Sequence, residues 1–244
     1  MSAFFAVYLR ELHILKRRLK KHLAAAAVSP LLYMLTFGYA LGSQLRVDGG
    51  SYLEFLVPGL IGMASMTQAF GIASEINIAR FYSCVFEEIQ ASPAGRFAYV
   101  LGEVCAGLTR VLLSSLVVIV LAGAFGIWLH WGFFMWLGVF LNGFVFASLA
   151  IALAMLVRSH ADQSLLSNFV ITPMAFLGGT FFPMDKLPEW AQTVLSILPL
   201  THATGIIRSD CLGVPISPMS FAVLAAFGLA CFIFALYAVG RAKD

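Results

Sequence analysis

Charged side chains are scarce in this sequence. Asp, Glu, Lys and Arg together make up 11% of the 244 residues, against about 25% in soluble domains. Hydrophobic residues make up 61%, whereas soluble domains have roughly 45–50%. A soluble fold of this length has more surface than so few charges can cover. The composition therefore excludes an ordinary soluble domain and predicts one polytopic membrane domain over residues 1–244, with almost no part outside the bilayer.

Sequence motifs of catalysis and metal binding are also absent. There is no G-x-x-x-x-G-K-[ST] loop, so we expect no ATP site in this chain. There is no H-E-x-x-H or G-x-S-x-G motif. The four cysteines, at positions 84, 105, 211 and 231, include no C-x-x-C pair. We therefore expect no metal and no cofactor in this chain, and the absences argue against an enzyme.

Long apolar runs are what the sequence does contain. A transmembrane helix needs roughly 20 mainly apolar residues. The predicted spans are Leu23–Leu41, Phe55–Ala79, Gly102–Leu129, Phe133–Val157, Leu165–Phe182 and Met219–Gly240. We therefore predict an all-α integral membrane fold of six transmembrane helices, in which the 21 glycines let helices approach closely.

The distribution of basic residues predicts the orientation of these spans. Cytoplasmic loops of membrane proteins carry an excess of Lys and Arg. Of the 15 basic residues, all but Arg46, Lys186 and Arg208 fall on segments that share a side with the termini. We therefore expect both termini, and the loop between spans two and three, in the cytoplasm.

The segment before the first span is too long for the basic region of a signal peptide. Residues Phe4–His22 predict an amphipathic helix, and its basic residues would face anionic headgroups of the inner leaflet. A simple basic tail that only sets the topology is an equally good interpretation. The apolar positions of the predicted helix are Phe4, Val7, Leu12, Leu15 and Leu19.

The stretch Arg80–Arg96, between spans two and three, is too polar for lipid and has a helical pattern. At about 100° per residue, its apolar side chains fill one arc and its charged side chains the other. The apolar arc holds Phe81, Tyr82, Val85, Phe86 and Ile89, and the polar arc holds Arg80, Ser83, Glu87, Glu88 and Gln90. We predict a short amphipathic helix that ends near Ser92-Pro93 and could dock a soluble partner.

Polar residues inside the predicted spans are few, and such residues are functional candidates because they are costly in lipid. The candidates are Glu75, Asn77, Glu103 and Arg110 near the inner ends of spans two and three, Asn142 in span four, and Asn168 and Thr172 in span five. Glu103 and Arg110 lie on one helical face and could each pair with another span. Structural pairing and substrate contact both stay open for this set.

The predicted outer loop, Pro183–Pro218, contains two short apolar helical patterns separated by Pro199. Neither is long enough to span a bilayer. They predict either re-entrant helices that form a lid or gate, or a connector that lies on the surface.

Three stretches resemble the membrane-spanning subunit of ABC-2 type exporters. FLVPGLIGMASMTQAF (55–70) resembles the family's Pro-Gly opening of span two. FEEIQASPAGRFAYVLGE (86–103) resembles its cytoplasmic Glu-Glu element. FLGGTFFPMDKLPEWAQTVLSILPLTHATGIIR (176–208) resembles its Gly-Gly, Leu-Pro-x-Trp and Pro-Leu-Thr series before the last span. The compact six-span form is closest to lipo-oligosaccharide (nodulation-factor) and drug-export permeases, although Leu198 stands where the family usually has Asn.

The resemblance implies a homodimeric permease in a bacterial cytoplasmic (inner) membrane, paired with two copies of a separate P-loop subunit that binds ATP and Mg. The N-terminal helix, the Arg158–Gln163 loop and the Arg80–Arg96 coupling helix would face that subunit. The implied coupling residues are Arg80, Phe81, Val85, Glu87, Glu88, Ile89 and Pro93. The possible gate residues are Gly178, Gly179, Pro183, Pro199 and Thr201.

The resemblance also implies export of an amphipathic or lipid-linked substrate along a path between the two permease copies. Two other classes of protein remain as alternatives. A single-chain ion-coupled carrier is disfavoured because no ladder of acidic residues crosses the predicted spans. A membrane-embedded lipid-modifying enzyme would have to rely on a lone group such as His130, His202 or Asp210.

Overall fold

The computed structural model describes residues 3–40, 46–47, 50–83, 85–86, 88 and 95–242. Within these ranges the regular secondary structure is helical apart from one short antiparallel pair, β1 (Arg46–Val47) and β2 (Gly50–Ser51). The helices are α1 (Ala3–Arg17), α2 (Leu19–Ala40), α3 (Tyr52–Phe70), α4 (Ile72–Phe81), α5 (Arg96–Ala124), α6 (Phe133–Leu156), α7 (His160–Leu166), α8 (Thr172–Leu177), α9 (Glu189–Leu195), α10 (Pro199–Leu212) and α11 (Pro218–Arg241). A π-helical turn, Ser167–Ile171, joins α7 to α8, and a 3₁₀ turn, Met184–Lys186, precedes α9.

Four helical stretches of the described chain are long and apolar enough to cross a membrane. They are Tyr52–Phe81, Arg96–Ala124, Phe133–Leu156 and Pro218–Arg241, and they coincide with the second, third, fourth and sixth predicted spans. The prediction of an all-helical membrane fold is confirmed to that extent. The count of six spans stays a prediction.

The first and fifth predicted spans fall on less regular elements. The first lies on α2, which contains Pro30. The fifth lies on α7, the π-helical turn and α8, which follow one another without a break. Pro173 is at the start of α8, and a proline has no N–H to continue the preceding hydrogen-bond ladder. Inserted π-turns of this kind are frequent at functional sites.

Helix α3 is the centre of the bundle. In the most apolar window of Tyr52–Phe81, 83% of the residues are buried, whereas the corresponding value for Pro218–Arg241 is 33%. α3 packs against α5, α6 and α10, and α11 packs mainly on α6. The side chain of Ser51 accepts a hydrogen bond from Leu53 N (3.3 Å), and Glu54 accepts one from Ser51 N (3.0 Å). This capping box fixes where the central helix begins.

The segments that connect the long helices lie at two opposite ends of the bundle. At one end, α1 lies against the start of α5, and Phe86 packs on Tyr99 in the same turn of α5 (5.6 Å between ring centroids). At the other end, Tyr52 donates a hydrogen bond to the Phe181 carbonyl (2.6 Å). Asp210 there accepts one from Met135 N (2.9 Å) and so caps the start of α6. The segments predicted for the inner side of the membrane are together at the first end, and those predicted for the outer side are together at the second.

Gly59 is the point of closest approach between α3 and the segment that follows α8. A Cβ atom built on Gly59 would lie 2.5 Å from the Thr180 carbonyl oxygen and 2.9 Å from Thr180 Cα. Both are backbone atoms, so they cannot move aside as the end of a flexible side chain could. Only glycine allows this packing, as small residues do between membrane helices.

We expect Gly59→Ala to lower the free energy of unfolding by about 2 kcal/mol, the cost of overpacking a rigid contact. Thermal unfolding of the purified chain in detergent measures this. Gly205→Ala is the matched control, because a Cβ there has no atom within 4 Å and alanine favours a helix. Equal melting temperatures for the two variants would contradict the packing argument.

Candidate functional site

The Arg80–Arg96 segment is divided by a turn at Tyr82–Ser83. Arg80 and Phe81 are the last residues of α4, and helical backbone resumes at Val85, Phe86 and Glu88. Glu87, Ile89 and Pro93, the other implied coupling residues, lie outside the described residues. No unbroken helix therefore begins at Arg80. The helix of the second predicted span was expected to end at Ala79 but continues to Phe81, and the turn follows it.

The turn changes which side chains are buried. Phe86 is 6% exposed and Glu88 is exposed, as predicted, but Phe81 is 38% and Tyr82 is 71% exposed. The single apolar arc predicted for Phe81, Tyr82 and Phe86 does not form, because the break at Tyr82–Ser83 interrupts the helical register. The Phe81 and Tyr82 rings form an exposed patch before the break, and the exposed Glu88 lies beyond it.

Two contacts fix this segment to the bundle. The Arg80 guanidinium donates a hydrogen bond to the Ala154 carbonyl near the end of α6. Its Cζ also lies 5.0 Å from the ring centroid of Phe81 and 5.7 Å from that of Phe86, which is cation–π distance. The His160 ring, at the start of α7, is 6.4 Å from the Tyr82 ring. The exposed patch thus adjoins the predicted Arg158–Gln163 loop.

The N-terminal helix docks on α5 through the predicted apolar face. Val7 and Leu15 are buried, and Val7 packs where Gly102 has no side chain: a Cβ there would be 2.8 Å from Val7 Cγ1. The Tyr8 hydroxyl and Thr109 Oγ1 are hydrogen-bonded at 3.1 Å. The predicted stretch Phe4–His22 is divided at Arg18, so that α1 ends at Arg17 and Leu19–His22 belong to α2. Helix α1 is held along one face of α5.

Glu11 is the residue of this face that sequence reasoning missed. It is 2% exposed and sits midway between Val7 and Leu15 at four-residue spacing, which was the available signal for a buried acid. Glu11 Oε1 pairs with Arg10 Nη2 at 2.8 Å, and Glu11 Oε2 lies 3.6 Å from Arg110 Nη2. Burial raises the pKa of Glu11, and the two arginines oppose that shift.

Arg110 is the centre of a charged cluster that joins three helices. Its Nη1 lies 3.8 Å from Glu75 Oε1 of α4, and its Nη2 reaches Glu11 of α1. The predicted pairing of Arg110 with another span is therefore confirmed. Glu103 is also buried, but neither of its carboxylate oxygens has a hydrogen-bond partner within the described residues. Arg110 therefore pairs with two carboxylates on other helices, whereas Glu103 is buried without such a pair.

Of the three predicted asparagines, two are buried between helices and one is exposed. Asn142 Nδ2 donates to the Gly62 carbonyl (3.1 Å) and to Ser65 Oγ (2.7 Å), which ties α6 to α3. Asn77 Nδ2 donates to Gln163 Oε1 (3.3 Å), which ties α4 to α7. Asn168 is exposed on the π-helical turn. The two buried amides are thus inter-helix ties.

The predicted gate residues form a tight outer arch. A Cβ on Gly178 would lie 2.5 Å from Leu200 Cδ2, and the Gly178 carbonyl accepts a hydrogen bond from Thr204 (2.7 Å). Gly179 has a φ of +73°, which glycine adopts without strain. Pro199 opens α10, and Thr201 Oγ1 donates to the Leu195 carbonyl at the end of α9 (2.8 Å). Pro183 precedes the 3₁₀ turn.

Arg208 connects the arch to α3. Its Nη2 donates to the Gly179 carbonyl (2.8 Å) and its Nε to the Phe55 carbonyl (3.3 Å). Its Cζ lies 3.8 Å from the centroid of the Phe55 ring. Two of the three stretches with family resemblance, residues 55–70 and 176–208, are therefore in direct contact. The two helical patterns predicted on either side of Pro199 correspond to α9 and α10, and their re-entrant placement stays a prediction.

A groove of about 340 Å³ opens between α2, α3 and the π-helical turn with α8. Ser29, Thr67, Gln68 and Thr172 are polar residues of its wall, and Phe176 is among the apolar ones. Sequence reasoning named Thr172 but missed Ser29 and Gln68. Their signal was the presence of polar side chains inside runs predicted to span the membrane.

Comparison with known proteins places these features in one family. The family profile described as ABC-2 type transporter matches residues 2–210. The chain is 27% identical over 246 residues to the inner membrane transport permease YadH of Escherichia coli (strain K12), which covers 99% of this chain and 96% of YadH. It is 34% identical over 191 residues to nodulation protein J of Rhizobium meliloti (strain 1021), which covers 77% of this chain and 72% of that protein.

We expect Arg110→Met to destabilise the chain by about 3 kcal/mol, because it leaves the buried Glu11 carboxylate without its pair to α5. Thermal unfolding in detergent measures the loss. Arg158→Met, at an exposed position, is the control and should have little effect. Adding Glu11→Gln to Arg110→Met should restore part of the stability. An Arg110→Met variant as stable as the control would refute the role of the cluster.

Proposed function

The chain belongs to the ABC-2 type transporter family, and on that premise we propose that it is the membrane-spanning subunit of an exporter driven by a separate ATP-binding subunit. Membership of the family, together with relatives that are named transport permeases, makes the protein a multi-pass transport permease of the inner membrane. The family in general works with an ATP-binding partner, which would supply the ATP and Mg that this chain is not expected to bind.

The observation that carries the proposal is the convergence of three elements at one end of the bundle. Helix α1, the Arg80–Glu88 segment and the start of α7 all lie around the N-terminal turns of α5 and the C-terminal turns of α6. This end is the one that the basic residues predict to be cytoplasmic. A soluble ATPase would therefore meet all three elements on one surface.

The anchoring of these elements suits them to transmit force. Arg80 is bonded to the backbone of α6, and Phe86 is packed on Tyr99 of α5. Arg110 holds α1 against α5. A push on the exposed Glu88 side would therefore reach the membrane-spanning helices and not be absorbed by a loose loop. This is what coupling to ATP-driven closure of a partner requires.

The translocation path in this proposal is the groove between α2, α3 and α8, completed by a second copy of the chain. The π-helical turn beside the groove leaves Phe169 76% exposed, which suits a contact with another copy or with lipid. Polar and apolar side chains are mixed along the lining of the groove, with Ser29, Gln68 and Thr172 among the polar ones. An amphipathic or lipid-linked substrate matches such a lining. The complex would then contain two permeases and two ATP-binding subunits.

The outer arch closes the path on the far side. The Gly178–Leu200 contact holds α10 against the end of α8, and the Thr201 hydrogen bond holds it against α9. Arg208 ties α10 to α3. In this proposal α9 and α10 act as re-entrant helices, and substrate leaves when the arch separates from the arch of the second copy. Both termini lie in the cytoplasm, as the charge distribution predicts.

Two alternatives make different demands on the purified protein. A single-chain ion-coupled carrier would transport substrate in vesicles with an ion gradient and no ATP. A membrane-embedded lipid-modifying enzyme would turn over substrate without a second subunit. His202 is one of the lone groups on which such an enzyme would rely. Its two ring nitrogens are within hydrogen-bond distance of Ser196 O and Ser220 Oγ (2.8 and 3.4 Å), so both already have structural partners.

We expect Glu87→Lys combined with Glu88→Lys to weaken association with the ATP-binding subunit by roughly tenfold or more, because reversed charges oppose a complementary surface. Co-purification of the two subunits and ATP-dependent transport in vesicles measure the effect. Glu189→Lys, an exposed acid at the opposite end of the bundle, is the control. Full assembly and transport by the double variant would rule out the coupling surface.

We expect Gln68→Trp to reduce transport by roughly tenfold, equivalent to about 1.4 kcal/mol on the limiting step, because the larger ring fills the groove. Association with the ATP-binding subunit should persist, since Gln68 is not at the coupling end. Leu229→Trp, on the exposed face of α11, controls for an added indole. Undiminished transport by Gln68→Trp would exclude this groove as the path.

A further inference from the structure

The corner between α1 and α2 carries an unusual density of positive charge. Five of the six residues from 16 to 21 are basic, and all five are exposed: Lys16, Arg17, Arg18, Lys20 and Lys21. None of the five forms an ion pair with a carboxylate in the described part of the chain. The corner itself is a single turn, in which Arg18 N donates to the Ile14 and Leu15 carbonyls (3.3 and 3.1 Å).

Two adjoining cavities share this corner. The first, of about 770 Å³, is lined by residues 16–21. The second, of about 270 Å³, reaches inward between α1, α2, α4 and α5. Arg18 and Lys21 line both cavities, so the two side chains stand where the cavities meet.

The charges around the inner cavity leave a net positive site at its mouth. Arg110, Glu75 and His22 also line this cavity. The Arg110 charge is offset by Glu75 and Glu11. The Nε2 atom of His22 is buried without a hydrogen-bond partner among the described residues. Arg18 and Lys21 are therefore the cations whose charge is left uncompensated.

The exposed side of α2 continues from this corner as an apolar stripe. Lys21, Val28, Leu32 and Leu35 recur at helical spacing on one face, and all are exposed. The rise from Lys21 to Leu32 is about 16 Å, close to one half of a bilayer's hydrocarbon thickness of about 30 Å. This stripe lies roughly 120° around α2 from the residues that line the groove. It is therefore a separate surface from the proposed path.

We propose that this corner is a binding site for an anionic phospholipid of the cytoplasmic leaflet, with its phosphate held by Arg18 and Lys21. Its acyl chain lies along the apolar stripe of α2, and its phosphate sits at the level where the first predicted span begins. Clusters of basic residues next to a span bind anionic headgroups in this way. The site would fix the depth and tilt of α1, which the Arg110 cluster holds to α5. The inference does not depend on the proposed path or on the ATP-binding subunit.

The test uses the full-length chain in detergent, titrated with dioctanoyl phosphatidylglycerol or dioctanoyl phosphatidylcholine and followed by native mass spectrometry. Wild-type protein should bind the phosphatidylglycerol more tightly. Arg18→Gln combined with Lys21→Gln should weaken that binding roughly 25-fold, about fivefold for each basic residue removed. Arg158→Gln combined with Arg241→Gln removes two exposed charges elsewhere and should retain the preference.

Charge-preserving substitution gives a second variant. Arg18→Lys combined with Lys21→Arg should bind phosphatidylglycerol within about twofold of wild type, since the charges remain. An unchanged affinity in the Gln variant would overturn the site. An equal loss in the control pair would instead assign the effect to overall charge. Competition by inorganic phosphate at the same concentration would indicate a free-anion site. If the Gln variant no longer co-purified with an ATP-binding subunit but kept its preference for phosphatidylglycerol, the corner would be a protein-docking surface instead.

Discussion

A buried guanidinium must be neutralised where little water reaches it, and the inner end of this protein is organised around that requirement. Arg110 lies in α5, and its two carboxylate partners come from α1 and α4. Removing either partner leaves charge uncompensated at a large cost in free energy. The N-terminal helix is consequently held along α5, although its sequence alone would allow it to lie on the membrane surface. Within the proposed coupling surface, α1 and Phe86 are positioned on α5, and Arg80 is positioned on α6.

The outer end is organised by shape more than by charge. Gly59 and Gly178 remove side chains where α3 meets the following arch, and Arg208 bonds to backbone carbonyls on both sides of that contact. Close packing of this kind has few alternative arrangements. Between the two tightly held ends, the π-helical turn and α8 make few contacts with other helices. A transporter that alternates between two states needs an element with little packing to break beside its path, and these residues lie beside the proposed one.

The sequence predicted much of the site because some signals are local. The 3.6-residue period located α1 but not its end at Arg17, four of the six predicted spans coincide with long apolar helices, and Pro199 lies at the boundary between α9 and α10. The register of the Arg80–Arg96 segment could not be predicted in this way, since the turn at Tyr82–Ser83 depends on where α4 stops. Glu11 was missed because its burial depends on α5, where its second partner, Arg110, is about a hundred positions away in the sequence.

By itself the sequence determined the class of protein: scarce charge and long apolar runs require a membrane, and the Gly-Gly to Pro-Leu-Thr series indicates the family. Those properties follow from composition and from short-range order. Only the tertiary structure decided which polar residues are ties and which line a groove. Asn142 and Gln68 are both polar residues in predicted spans, yet one is bonded to α3 and the other faces the groove. The physical reason is that a polar side chain in a membrane helix takes its role from the helix opposite it, and the sequence does not state which helix that is.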